Sequence, residues 1–147
     1  MIGGRMSFML QGNPANFEIR TYLKQPMIYW SVNRYIDKIT MTDHVFIWES
    51  GPSGGVIAYG IVCELVTPRK TVIHPDLLGT HLWSNQAPDE SSLVVGVQII
   101  RSIHNGYYIS RDVAKADADL ASLDVLRMPQ GTVYQCSDSQ VIRLLRG

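Results

Sequence analysis

Between His44 and Val66 two apolar runs, HVFIWES and VIAYGIVCELV, flank the five residues GPSGG. No other feature limits the fold so strongly. The first run has no polar interruption from Val45 to Trp48 and is too short for a helix, so it reads as a central strand buried on both faces. Gly51-Pro52-Ser53-Gly54-Gly55 is a hairpin turn. The second run is the return strand, in which Gly60 permits a bulge or a close backbone approach. With Tyr29-Trp30-Ser31 shortly before it, the region holds two of the three tryptophans. A tryptophan beside polar residues often lines a pocket for a flat ligand, and Tyr29–Ala58 is read as one wall of such a pocket.

The remaining segments supply partners for that hairpin. Ser7 to Gln11 is a first strand ended by Gly12, and Asn13-Pro14-Ala15-Asn16 is a turn cluster. Asn16 is placed to cap a helix over 17–24, which Pro26 stops. Met27 to Ser31 is a second strand, and Asn33 to Thr42 a polar crossover with one helical turn. Residues 67–92 contain three prolines and no periodicity, and loops this long are usually functional or poorly ordered. Leu93 to Ile103 is a long strand, Asn105-Gly106 turns, and Tyr107 to Ile109 is a short strand. Ser110 or Asp112 caps a helix near 113–116; Val133-Tyr134 is a last strand; Ser137 or Asp138 caps a terminal helix over 140–145. The pattern predicts an α+β fold, a small mixed β-barrel flanked by short helices. Residues 1–6 are expected to be a flexible leader and 7–147 a single domain.

Charge narrows the function classes. Thirteen basic residues balance 13 acidic ones, for a formal net charge of zero. Dedicated binders of long nucleic acid are usually basic, because phosphate contacts supply most of their affinity. Neutrality therefore counts against tight autonomous binding, yet it suits a module that recognises one base and borrows affinity from a partner. No apolar run approaches the roughly 20 residues of a membrane helix. Cys63 and Cys136 are too few and too far apart for a disulfide framework, so a reduced, cytoplasmic setting is the expectation, with no membrane partner.

Signatures of catalysis are missing: there is no G-x-S-x-G, P-loop, H-E-x-x-H or paired CxxC, and the chain is not read as an enzyme. His44 reads as structural. His74, Asp76 and His81 are a conceivable metal set, but solvated loop polarity explains them better; neither metal nor cofactor is expected. Cys136, beside a helix start, has the setting for a lowered pKa and some reactivity. Asp112, Asp117, Asp119 and Asp124 read as a solvated face with caps. The Gly-rich turn after Trp48 joins strand to strand and lacks the helix N-terminus that binds anions.

Aromatic and amide residues are the stronger lead. Trp30 precedes Ser31, Asn33, Arg34 and Tyr35, and Trp83 precedes Ser84, Asn85 and Gln86. Tryptophan faces clamp a flat base for roughly 1–3 kcal/mol per base, while amides read its edge. Trp48 reads first as core, Trp30 is balanced between core and pocket, and Trp83, in a loop, is hardest to explain as core.

At these residues the sequence resembles the EVE domain, a member of the PUA-like superfamily related to the YTH readers. The matching pieces run from the first strand with Asn13-Pro14 through Tyr29-Trp30-Ser31-Val32-Asn33-Arg34-Tyr35 to Asp43-His44-Val45-Phe46-Ile47-Trp48. Gly54-Gly55-Val56-Ile57-Ala58-Tyr59-Gly60 and Leu126-Arg127-Met128-Pro129-Gln130-Gly131-Thr132 follow. Thr42-Asp43 stands where the family often has Gly-Asp, and Val133-Tyr134 follows Gly-Thr where Asn and Phe are usual.

The resemblance implies a bent β-barrel of PUA-like type and a pocket for a flipped base carrying a methyl or hydroxymethyl group, cytosine or adenine. It implies Trp30 and Trp83 as the two aromatic walls, with Gln11, Asn13, Asn16, Ser31 and Asn33 as the polar edge. Tyr35 and Trp48 complete the expected pocket, and Arg34 and Lys38 are the expected phosphate contacts. DNA is the favoured partner and RNA the alternative; relatives fused to restriction-type nucleases suggest a role in a modification-dependent restriction system. A protein for small molecules or free nucleotides is the alternative outside polymer binding.

Overall fold

The computed structural model describes residues 6–147; Met1 to Arg5, most of the expected leader, lie outside the described residues. Met6 is half-buried, and its backbone N–H donates to Asp43 Oδ1 at 3.2 Å.

Seven strands form one mixed sheet: β1 (Ser7–Gly12), β2 (Met27–Ser31), β3 (His44–Glu49), β4 (Gly55–Pro68), β5 (Leu93–Ser102), β6 (Ile109–Ser110) and β7 (Val133–Gln135). The order is β2-β5-β4-β3-β1-β7, with β6 attached to β4. β1 and β3 are parallel, with Met9 opposite Phe46, and β3 and β4 form the antiparallel hairpin. The α+β class and the mixed sheet match the expectation; the barrel does not close. β2 and β7 are the two ends of the pairing order, because β2 pairs with β5, more than 60 residues later, rather than with β1.

Period-two alternation explains why the central strands are apolar throughout. Phe8, Leu10, Val45 and Ile47 enter one core, with Ile28, Trp30 and Val97. Met9, Phe46, Trp48 and Val56 enter a second core on the other face, with Tyr107, Leu120 and Val141. Gly60 sits at a register shift, where a Cβ would lie 2.3 Å from the Gln98 carbonyl oxygen. The close approach that makes the bulge needs glycine there.

Four short α-helices close the ends: α1 (Ile19–Tyr22), α2 (Arg111–Ala116), α3 (Asp124–Arg127) and α4 (Asp138–Arg146). α1 is half the expected length, and Asn16 does not cap it; Glu18 stands at its N-terminus without a side-chain bond. Asn13 instead organises the preceding turn, its Oδ1 accepting from Ala15 N at 2.9 Å. Ser110 caps α2 and Ser137 caps α4, the latter in a reciprocal box with Gln140. The crossover at 33–42 forms a hydrogen-bonded turn on Tyr35, at φ 57°, without a helix. Residues 67–92 fold into three single 3-10 turns, at 69–71, 75–77 and 80–82. Among the described residues no helix is long and apolar enough to cross a membrane.

Candidate functional site

A cavity of about 450 Å³ opens between the end of β1 and the length of β2, within the roughly 300–1,000 Å³ of ordinary ligand sites. Gln11, Asn13, Asn16, Trp30, Ser31, Asn33 and Trp83 all line it. Seven residues drawn from three separate parts of the chain are therefore brought to one wall system.

Trp30 comes from β2 opposite Val95 and is 8% exposed. Its ring passes directly over Gly12, where a Cβ would stand 2.7 Å from Trp30 Cζ2. Trp83 follows the third 3-10 turn and packs on Phe17, ring centroids 4.7 Å apart and tilted by 47°. A bridge between Phe17 and Trp83 joins the loop to the start of α1. Ser84 reinforces it, its N–H donating to the Asn16 carbonyl at 2.9 Å and its hydroxyl to the Ala15 carbonyl at 2.8 Å. Trp83 Nε1–H is buried without an acceptor among the described residues, a state that costs about 1–3 kcal/mol.

The amides are oriented by their neighbours. Gln11 Nε2 donates to the carbonyls of Pro129 (2.8 Å) and Gly131 (2.7 Å), which leaves its Oε1 as an acceptor. Asn33 Oδ1 accepts from Thr132 Oγ1 at 2.7 Å, which leaves its amino group as a donor. That bond also links the end of β2 to the residue before β7, across the open side of the sheet.

Four expected residues fall elsewhere. Trp48, 3% exposed, belongs to the second core and is scaffold; an even-numbered position on β3 faces away from the cavity. Tyr35 packs on Phe8 at 5.9 Å, with the Arg34 guanidinium 4.9 Å above its ring. Arg34 and Lys38 are exposed on the turn after Asn33, outside the cavity lining.

Arg69, Phe17, Leu78, Ser92 and Thr132 line the cavity as well and escaped the sequence reading. Arg69 follows Pro68 at the end of β4 and is 6% exposed. The visible signal was a basic pair, Arg69-Lys70, closing an apolar strand. Tyr22 braces this side: its hydroxyl accepts from Tyr29 N–H at 2.8 Å and donates to the Leu77 carbonyl at 2.8 Å. Burial pushes that phenol up to about 12. Gly79, at φ 66°, lies flat on the Tyr22 ring, which a Cβ would approach to 2.7 Å.

The chemistry of the remaining candidates is quiet. No group of three His, Cys, Asp or Glu among the described residues could hold a metal. His44 Nδ1 meets the Tyr59 hydroxyl at 2.8 Å. The expected activation of Cys136 is reversed: burial, helped by the Asp124 charge, pushes its thiol up to about 12. Asp117 pairs with Arg143 at 2.6 Å and tethers the turn at 117–120.

No family model and no curated protein matches the chain. Solved structures do. A hypothetical protein from Leishmania major is similar at 18% identity and a TM-score of 0.69, over 97% of this chain and 93% of that one. Human THYN1, solved in complex with DNA containing 5-methylcytosine, is 12% identical with a TM-score of 0.67, over 96% of each chain. A Pseudomonas syringae protein is 17% identical with a TM-score of 0.66, over 95% of this chain and 97% of its own. These likenesses agree on the fold: the chain shares the fold of the DUF55 domain of human thymocyte nuclear protein 1, in keeping with its resemblance to the EVE domain.

Proposed function

We propose that this protein is a non-catalytic reader of a modified base in DNA, which it receives turned out of the helix into the cavity between Trp30 and Trp83. The observation that carries the reading is the convergence of both tryptophans and five polar residues on one cavity, in a fold whose human member THYN1 has been solved with 5-methylcytosine DNA. The two indoles supply stacking worth roughly 1–3 kcal/mol per base, against the few kcal/mol that extruding a base costs. Gln11 Oε1 accepts from an exocyclic amino group and the Asn33 amino group donates to a ring nitrogen or carbonyl, the complement of a cytosine edge. A methyl group against the apolar wall adds discrimination of roughly 1–3 kcal/mol.

Arg34 and Lys38, exposed beside the Asn33 wall, contact the DNA backbone. The rest of the affinity comes from a partner, such as the nuclease of a modification-dependent restriction system, because the chain itself is neutral. That neutrality also favours one second reading, a free modified nucleotide as the ligand.

Titration of the protein with oligonucleotides differing only in cytosine modification tests the proposal. Trp30→Ala and Trp83→Ala are expected to abolish the preference for the modified strand while the fold survives. Binding indifferent to modification in the wild-type protein, or preference untouched by both changes, overturns it. A binding constant independent of salt moves the assignment to the free nucleotide.

A further inference from the structure

Arg69 is a charge in the cavity wall that pairs with no carboxylate among the described residues. Among the described residues its side chain makes one hydrogen bond, a long one from Nη2 to Thr80 Oγ1 at 3.4 Å. Among the described residues Arg20 pairs with Glu49 and Arg143 with Asp117, and no carboxylate among them pairs with Arg69. The neighbouring Tyr22 phenol stays neutral, since burial holds its pKa near 12. Arginine presents five donors in a rigid fork, and buried charges of this kind are ordinarily paired. Here the unspent donors belong to a residue that lines the cavity beside Leu78 and Ser92.

A nucleobase is neutral and so is its sugar; phosphate is the charged part of a nucleotide. We propose that Arg69 binds a phosphate oxygen of the nucleotide whose base occupies the cavity. The assignment rests on the base-reading function above and extends it: the site recognises a nucleotide and not a nucleoside. The phosphate is either a backbone phosphodiester or the terminal group of a free monophosphate, and both offer the paired anionic oxygens that a guanidinium fork fits.

Calorimetric titration of the full chain with 5-methyldeoxycytidine and with its 5′-monophosphate measures the charge contribution directly. The monophosphate is expected to bind about tenfold tighter, or about 1.4 kcal/mol. Arg69→Met is expected to erase that factor, and Arg69→Lys to restore only part of it. A second arm uses a 5-methylcytosine oligonucleotide with neutral methylphosphonate linkages flanking the modified base. Weakened binding there assigns the phosphate to the polymer, and an advantage confined to the monophosphate assigns it to a free nucleotide.

Without ligand, Arg69→Met is expected to melt at the wild-type temperature or above, because it removes a desolvated charge that has no partner. A lower melting temperature overturns the claim that the charge is structurally unused. Equal binding of nucleoside and monophosphate, with neutral linkages harmless, overturns the Arg69 assignment and leaves base reading intact. A phosphate advantage without discrimination between cytosine and 5-methylcytosine overturns base reading and leaves Arg69 standing.

Discussion

Substituting Gly12 by alanine tests whether the position of the Trp30 ring is set by the strand beside it. The new Cβ would stand 2.7 Å from Trp30 Cζ2, 2.8 Å from Ile19 Cδ1 and 3.0 Å from Trp30 Cη2. Carbon atoms in contact prefer about 3.5–4.0 Å, so the ring or the strand must move by about 1 Å. Gly12 is not in the left-handed region, which leaves crowding as the sole penalty. Overpacking of this kind costs about 1–3 kcal/mol, or about 2–4 °C of melting temperature per kcal/mol in a chain of this size.

Displacing the ring into the cavity also spoils the stack. Losing half of a contribution of roughly 1–3 kcal/mol weakens modified-base binding about twofold to tenfold. Urea denaturation and oligonucleotide titration of Gly12→Ala read the two effects. The clashing ring atoms belong to the benzo half of the indole, which phenylalanine lacks. The stability cost of Gly12→Ala is therefore expected to shrink in a Trp30→Phe background, with a coupling of about 0.5–3 kcal/mol. Strictly additive costs would show that the two residues do not touch.

Two further expectations concern ionisation. Arg143 beside Asp117, with the N–H groups of Asp119 and Leu120, holds that carboxyl below the usual range. Its stabilisation is present above the unfolded value near pH 4 and is lost as pH falls through the lower folded value. Asp117→Asn is expected to flatten the fall in melting temperature below about pH 4; parallel acid limbs in the two proteins would refute it. For Cys136, a half-buried residue whose thiol is pushed up to about 12, iodoacetamide at about pH 8 is expected to modify it far more slowly in a native Cys63→Ser chain than in urea, because little of the native thiol is thiolate. The unfolded thiol ionises from about pH 8.5, so this group also lowers stability as pH rises beyond that point. Rapid alkylation of the native chain would refute the burial argument.

The parts legible in the sequence are those written in short-range pattern. The uninterrupted run at 45–48 announced a doubly buried strand, Gly51 to Gly55 a turn, and Trp30 followed by Ser31 and Asn33 a pocket wall. Trp83 stood out for the opposite reason, a large indole in a polar loop, and it lines the cavity while packing on Phe17 at the edge of the first core. The basic pair Arg69-Lys70 was visible but its meaning was not, because it lies in the absence of a nearby carboxylate among the described residues, a property of three dimensions. Trp48 goes to the second core, as its place in the apolar run suggested, and the pocket role came from the resemblance alone; aromatic type says nothing of facing, which the even register on β3 decides. That the sheet stays open was not legible, because a strand pattern does not name its partner, and β2 finds β5 across the 67–92 segment.

The open side of the sheet has a consequence for how such a site changes over time. Where strands are joined by a ladder, their spacing is held near 4.8 Å, and no substitution widens it without breaking backbone bonds. The cavity instead opens between β1 and β2, which no ladder joins, and the Thr132 hydroxyl and the Asn33 amide tie its rim. Its breadth is thus a side-chain property. Replacing Thr132 or Asn33, which both line the cavity, changes its breadth while every strand keeps its register. Under the proposed reading, one scaffold can in this way be retuned from one chemical mark to another, with its cores untouched.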